Sequence, residues 1–439
     1  MAAQRHADTR TGARIPTLGA MSEKVSRARA HGSRQVILDA ALGLAAARGY
    51  VGTTMALVRR ETHLPPSSLY WHFSNKDELL AEALEHGYAR WRRNRRRWAP
   101  AAPGEDVREA LFANLRRTMA AAGDTKADWW RMGLALTLES GPTVGDGPRE
   151  RFRRLRGRAL AGFELWWYQA VDLPAAHITT LARLTLAAHD GLFVHLQTDE
   201  DADLTPLLRR LADGLVAVAD HLRQAPEVSA VSVAQPAMTY EIGSSSRERL
   251  IAAALEVAAE SGYEGASISR ICAAAGMRAS SVYWHFENKD DLFSAAVDDS
   301  YQAWQRTQPS WQPPPEGSDW GTELPLMLTP LVASLRDLPP FLRIGLMLVI
   351  PNRNEPLPGR SRFLAVRRQT RDDLADWFRG ALGDAGPDHA DEMAALLVAI
   401  TDGLLFAEAL DGTDMPPETT ADLLAHLITA TPFHTQISH

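Results

Sequence analysis

Apolar residues recur at helical spacing along most of the chain, and one arrangement of them occurs twice. Ile37, Ala40, Ala41 and Leu44 follow i, i+3, i+4, i+7, the pattern of one apolar helix face. Ile251, Ala254, Leu255 and Ala258 repeat it. Gly49 and Gly262 come next, each able to stop a helix in a left-handed conformation. A second short helix is predicted from Thr53 and from Ser267, both good N-caps. Its inward positions hold Leu57 and Val58 in the first copy, and Arg270 and Ile271 in the second. A tight turn follows, with Gly276 in one copy and the less suitable His63 in the other. Pro66 fits the first turn of a third helix. Asn75 and Asn288 look like caps of a fourth, with Glu78 and Asp291 placed as in a capping box. Residues 105–223 and 318–432 continue with helical periodicity and no strand alternation, so the expected fold class is all-α.

The repetition extends beyond the pattern to the residues. SSLYWHFSNKDELL (67–80) returns as SSVYWHFENKDDLF (280–293), identical at 10 of 14 positions. From Ser33 to Leu80 the two copies align without a gap at an offset of 213. Downstream, Arg131 matches Arg343 and Asp190-Gly191-Leu192 matches Asp402-Gly403-Leu404 at 212, while Phe152 matches Phe363 and Trp166 matches Trp377 at 211. Such small changes of offset are what loop insertions produce, and they point to a duplicated unit. Expected boundaries are a basic flexible arm (1–32), a first head (33–98), a helical domain (105–223), a linker (224–245), a second head (246–308) and a second helical domain (318–432). The linker is rich in Ser, Val, Ala and Pro, and would span roughly 25 Å on average.

Composition narrows the class. A chain of 439 residues with 45% hydrophobic and 23% charged residues is ordinary for globular domains. A single cysteine, Cys272, excludes an intrachain disulfide and a cysteine-cluster metal site. No segment reads as a secretory signal or membrane span, so a cytoplasmic location and no membrane partner are expected. The net charge of −7 hides a gradient: residues 1–100 hold 17 Arg/Lys against 8 Asp/Glu, and residues 241–300 hold 5 against 10. Neither a phosphate-binding glycine loop, a metal-ligand spacing nor a nucleophile elbow is present, so no catalytic residues, cofactor or metal are expected.

Two helices, a turn and a short third helix make a helix-turn-helix, whose last helix is of a size to enter a major groove. Here the sequence resembles the TetR transcriptional regulators. The resemblance is carried by Gly49, Thr53-Thr54, Leu69 to Phe73, Lys76 and Leu79, and again by Gly262, Ser267, Gly276, Val282 to Phe286, Lys289 and Leu292. It implies two tandem TetR-like units and a double-stranded DNA operator as partner. It also implies phosphate contacts from Tyr70 and Lys76 and from Tyr283 and Lys289, to which Thr54 adds one. Phosphate contacts set register without reading sequence. Base reading falls to Pro65, Pro66, Ser67, Ser68, Trp71 and His72, and to Arg278, Ala279, Ser280, Ser281, Trp284 and His285. Arg278, opposite Pro65, suits a bidentate guanine contact, so the two heads should read different sequences. Phe73 and Phe286 are expected to be core plugs, whereas Trp71 and Trp284 fit either DNA contact or packing. RWRRNRRRW (90–98) is either a solvated helix end or an electrostatic aid to DNA binding.

In that family the remaining helices hold an effector pocket and a dimer face built from two late helices. Here those helices are expected near 178–196 and 204–222, and near 389–410 and 418–430. Two fused copies can supply all four, giving an intramolecular pseudo-dimer that leaves room for further pairing of chains. Trp130, Trp166, His189, Phe341 and Trp377 are the candidate contacts for a small apolar effector. The expected function is a ligand-released repressor. The rival is a TetR-fold protein adaptor or regulator in which only the first head binds DNA.

Overall fold

A computed structural model describes residues 18–430 except 94–96, 103, 123–126, 142–144, 200–202, 225–244, 309–310, 312–319, 353–356, 383–386 and 413–414; for 18–31, 320, 382, 387 and 388 it describes the backbone alone. The expected linker apart from its end residues Gln224 and Ser245, the first half of the expected arm and the centre of the 90–98 basic run therefore lie outside the described residues. Among those described there are eighteen helices and no strand, nine helices in each of two successive units. The first unit holds α1 (Leu18–Arg48), α2 (Met55–Thr62), α3 (Pro66–His72), α4 (Lys76–Arg93), α5 (Val107–Met119), α6 (Asp128–Leu138), α7 (Asp146–Ala170), α8 (Ala175–Thr198) and α9 (Thr205–Gln224). The second holds α10 (Ser246–Gly265), α11 (Ile268–Ala275), α12 (Ala279–Tyr283), α13 (Lys289–Gln305), α14 (Trp320–Leu335), α15 (Pro340–Val349), α16 (Pro358–Leu382), α17 (Pro387–Asp411) and α18 (Pro417–Thr429).

Local chemistry explains the head helices and adjusts their limits. Helix α1 starts at Leu18, so residues 18–32, expected in the arm, are helical. Its buried face is Ile37, Leu38, Ala41, Leu42 and Ala45, one step round from the expected stripe. Gly49 (φ +71°) and Gly262 (φ +68°) then turn left-handed, as expected. Thr54, not Thr53, caps α2: its hydroxyl accepts from Leu57 N at 3.2 Å, while Thr53 is buried and donates to Gly49 O at 2.8 Å. Ser267 caps α11, accepting from Arg270 N at 3.3 Å. The inward residues are Val58 and Ile271, both fully buried, so the Leu57/Arg270 mismatch falls outside the core. His63 takes the left-handed turn at φ +53° where the second copy has Gly276 at +64°; a non-glycine residue there costs about 1 kcal/mol. Asn75 and Asn288 accept from the backbone N–H three residues on, each at 2.9 Å. The acids at that position reach one residue further back than a capping box does: Glu78 takes Ser74 N and Asp291 takes Glu287 N.

Each head stands on its own helical domain, with α4 packed on α7 and α13 on α16. The two domains join through α8, α9, α17 and α18, chiefly by α8 on α17 and α9 on α18. Helices α8 and α17 come so close that a Cβ on Gly191 would lie 1.7 Å from Ala399 O, and one on Gly403 1.8 Å from Ala187 O. Across α9 and α18, a Cβ on Gly214 would lie 2.2 Å from Leu427 O. One helix, 389–411 within α17, is long and apolar enough to cross a membrane, but 78% of its apolar window is buried against the rest of the fold.

The Asp of each Asp-Gly-Leu element is wholly buried behind this contact. Asp190 pairs with Arg156, which also meets Asp411 of the other unit at 2.9 Å, and it accepts from Trp130 Nε1 at 2.7 Å. Asp402 pairs with Arg367, accepting at 2.9 Å from its Nη1. Arg156 and Arg367 are themselves repeat mates at the offset of 211 that relates Phe152 to Phe363.

Candidate nucleic-acid interface

Helix α3, and α12 with Trp284 just past its last residue, carry the exposed aromatic residues of the heads. Leu69 and Phe73 in one, and Val282 and Phe286 in the other, turn inward and are buried. That register forces the intervening side chains outward. Trp71 is 73% exposed and Trp284 86%, with Tyr70 and Tyr283 near 62% and 63%. Both tryptophans are therefore surface residues, and the packing alternative does not hold. Pro65, Pro66 and Ser67, and Arg278, Ala279 and Ser280, lie exposed at the entry of the same helices; Ser68 and Ser281 are half-buried. His285 is exposed, whereas His72 is partly covered, and burial followed by Arg34 pushes its imidazole below the ordinary range.

The lysine of each box has a second occupation. Lys76 Nζ donates to Tyr50 O at 3.1 Å and sits 3.7 Å from the centre of the Tyr50 ring. Lys289 does the same to Tyr263, at 2.6 and 3.9 Å. The phenols of Tyr50 and Tyr263 in turn hydrogen-bond Asp77 and Asp290. Each lysine thus clamps the glycine-tyrosine turn of its head to the start of the next helix. Lys76 is half-buried, and that burial lowers its pKa.

The two heads meet at these turns. A Cβ on Gly52 would lie 3.1 Å from Glu264 Cγ, and one on Gly265 2.9 Å from Val51 Cγ1. The segment after α6 reaches the other head, with Ser140 N donating to Ala259 O at 2.7 Å and Gly141 N to Glu260 O at 2.9 Å. The mate of the first bond is present: Asn352 N donates to Ala46 O at 3.3 Å. Between them lies Glu139, whose carboxylate accepts from Tyr50 N at 3.2 Å and Val51 N at 3.3 Å. Its Oε1 is also where a Cβ on Gly49 or Gly262 would collide, at 2.2 and 2.8 Å. By the same offset of 212 that relates Ser140 to Asn352, the mate of Glu139 is Pro351, so one acid hydrogen-bonds the first head and packs beside Gly262 of the second.

Burial pushes Glu139 up to about 7, against the pull of the Val51 and Tyr50 N–H groups and of Lys76 and Arg149. A raised folded-state pKa means the native protein holds a proton that the unfolded chain has lost. Stability from this group is thus complete below about pH 4.5 and is lost as pH rises to about 7. Wild type is expected to lose up to about 3 kcal/mol more than Glu139→Gln between pH 5 and 8 in urea unfolding. Parallel pH profiles would contradict this.

The five residues expected at an effector site are all buried: Trp130, Trp166, His189, Phe341 and Trp377. Trp166 stacks edge-on to Trp98, which lies 5.5 Å from His189 between ring centres. Trp130 stacks on Phe193, Phe341 meets Tyr301 edge-on and Trp304 at a tilt, and Trp377 meets Trp311 edge-on. Three clefts elsewhere have none of these five in their walls. One of about 190 Å³ is lined by His195, Asp199, Leu364, Arg367, Arg368 and Arg371 among others, and burial with Arg367 pushes His195 down to about 4. Sequence reasoning missed Arg156, Arg367 and Glu139. The shared offset of 211 was a usable signal for the two arginines.

Comparison with known proteins bears on the same segments. A family model described as bacterial regulatory proteins, tetR family, matches residues 37–83 and again residues 250–296. The crystal structure of a transcriptional regulator from Rhodococcus sp. Rha1 is 26% identical over 42% of this chain and 94% of that chain, with a TM-score of 0.30.

Proposed function

We propose that this chain, a tandem member of the tetR family of bacterial regulatory proteins and a DNA-binding regulator, works as an intramolecular pseudo-dimer that represses transcription until a small apolar ligand releases it. The observation that carries the reading is the pair of exposed Tyr-Trp strips on α3 and α12, fixed to one shared bundle of α8, α9, α17 and α18. Tyr70 and Tyr283 are the phosphate anchors and Thr54 a further one. Pro65 to Ser68, Trp71 and His72 read one half-site; Arg278 to Ser281, Trp284 and His285 read the other. Lys76 and Lys289 act mainly by holding the Tyr50 and Tyr263 turns, and through them the angle of each recognition helix.

The heads are unequal at their most informative position, so the preferred operator is asymmetric. Arg278→Ala is expected to weaken binding to the preferred site by about 1–3 kcal/mol and to relax selection at one base pair. Selection of bound sequences from a random DNA pool, before and after the change, checks this. Failure to enrich any sequence over random DNA at several salt concentrations would sink the DNA-reading function itself. The acidic balance of the second head, 5 Arg/Lys against 10 Asp/Glu over residues 241–300, favours one alternative: only the first head grips DNA, and the second binds protein. Under that reading Tyr70→Phe weakens binding and Tyr283→Phe leaves it unchanged. An apolar effector would enter by parting the Trp98, Trp166 and His189 rings, which fill that space in the structure, and would thereby tilt the α7 support beneath α4. A cytoplasmic location follows from this role.

A further inference from the structure

We propose that the chain binds a divalent transition metal of the zinc class between its two units, through His221 of α9 and Asp422 and His426 of α18. Only Asp422 and His426 are close in sequence; His221 is about 200 residues from Asp422 and joins them only because α9 packs on α18. One ligand atom from each lies within 4.8 Å of the others. His221 Nε2 is 2.9 Å from Asp422 Oδ2, and His426 Nδ1 is 3.7 Å from Asp422 Oδ1. Donor atoms about 2.0–2.2 Å from a tetrahedral zinc are about 3.4 Å from one another, so small side-chain rotations suffice. Asp422 and His426 are four residues apart and share one face of α18, the arrangement that lets a helix offer two ligands to one ion.

The chemistry of the set chooses the class of ion. Two imidazoles and one carboxylate suit zinc and its borderline neighbours, whereas calcium and magnesium take oxygen ligands. His426 Nδ1 also lies 2.9 Å from the carbonyl of Asp422. Binding through Nδ1, the nitrogen that faces Asp422 Oδ1, would take it from that carbonyl and leave the ring proton on Nε2. The His221 and His426 rings stack with centres 3.7 Å apart, so both are already ordered against each other across the unit boundary. All three side chains are partly exposed, at 29%, 41% and 40%, which gives an ion a route in and leaves the remaining coordination position to water. A metal here would tie the last turns of α9 to α18, and so fasten one unit to the other.

The full-length chain, stripped with a chelator, should take up one equivalent of zinc at micromolar concentration. Cobalt should give the visible absorption of a tetrahedral nitrogen–oxygen site. His221→Gln/His426→Gln is expected to lose that equivalent and the spectrum while keeping its helical circular dichroism, and Asp422→Asn to weaken binding at least tenfold. Should the double variant fail to fold, Asp422→Asn alone carries the test. Equal loading of wild type and variants, or loading of wild type only at millimolar metal, overturns the proposal.

Discussion

Gly403→Ala is expected to destabilise the protein by roughly 3 kcal/mol although it adds only a methyl group. Alanine normally stabilises a helix relative to glycine, by about 1 kcal/mol. Here the added carbon would lie 1.8 Å from the carbonyl oxygen of Ala187, a backbone atom that moves only if α8 and α17 separate along their length. Gly191→Ala meets Ala399 O at 1.7 Å and should behave alike. The control is Gly162→Ala at an exposed position of α7, where nothing lies within 4 Å and a gain of about 1 kcal/mol is expected. Denaturant midpoints of the three variants decide the matter. Because α8 and α17 join the units, the first two changes should also weaken operator binding more than the loss of stability alone explains. A Gly403→Ala protein as stable as Gly162→Ala would show that the close crossing is not what holds the units together.

Asp190→Asn should cost more, about 3–5 kcal/mol, because it leaves a charge behind rather than merely removing one. The Arg156 guanidinium is 3% exposed and would keep only Asp411, whose side chain is 33% exposed. The indole N–H of Trp130, 2.7 Å from the same carboxylate, would lose its charged acceptor. Asp402→Asn strands Arg367 in the same way in the other unit. Removing both partners, as in Asp190→Leu/Arg156→Met, is expected to cost far less than Asp190→Asn alone, since a buried ion pair barely repays its own desolvation. Urea unfolding of the single and double variants, read as a double-mutant cycle, measures that difference; a loss under 1 kcal/mol for Asp190→Asn would refute it.

Much of the architecture was legible because a duplication prints each important position twice. The ungapped match from Ser33 to Leu80 located both heads, and the Gly49 and Gly262 stops, the Asn caps and the buried Phe73 and Phe286 follow from local chemistry. Errors of detail arose where two adjacent residues have similar chemistry. Thr53 and Thr54 are both good caps, and only packing decides that the first goes inward. The start of α1 was missed because a stretch carrying Glu23, Lys24, Arg27 and Arg29, with only Leu18, Met21 and Val25 as large apolar residues, gives a weak apolar stripe. Trp166 and His189 are buried in the structure, and sequence has no way to sort such residues, because tryptophans that fill space and tryptophans that line it have the same composition. What comparison of the two halves could not reveal is whatever occurs once. Glu139 has proline as its mate, and His221 meets His426 only in three dimensions.

Glu139 shows what covalent fusion makes available. In an assembly of two identical chains, a residue near the axis is present in duplicate and faces its own copy. Two such acids wedged against the paired glycine-tyrosine turns would repel, and one would be forced to stay protonated. Joining the subunits into one polypeptide lifts that restriction, so Pro351 can occupy one position and a lone acid the other. The junction of the heads can then be adjusted by single substitutions that no homodimer could sample, and the exposed surfaces of α3 and α12 are free to diverge without losing their common support.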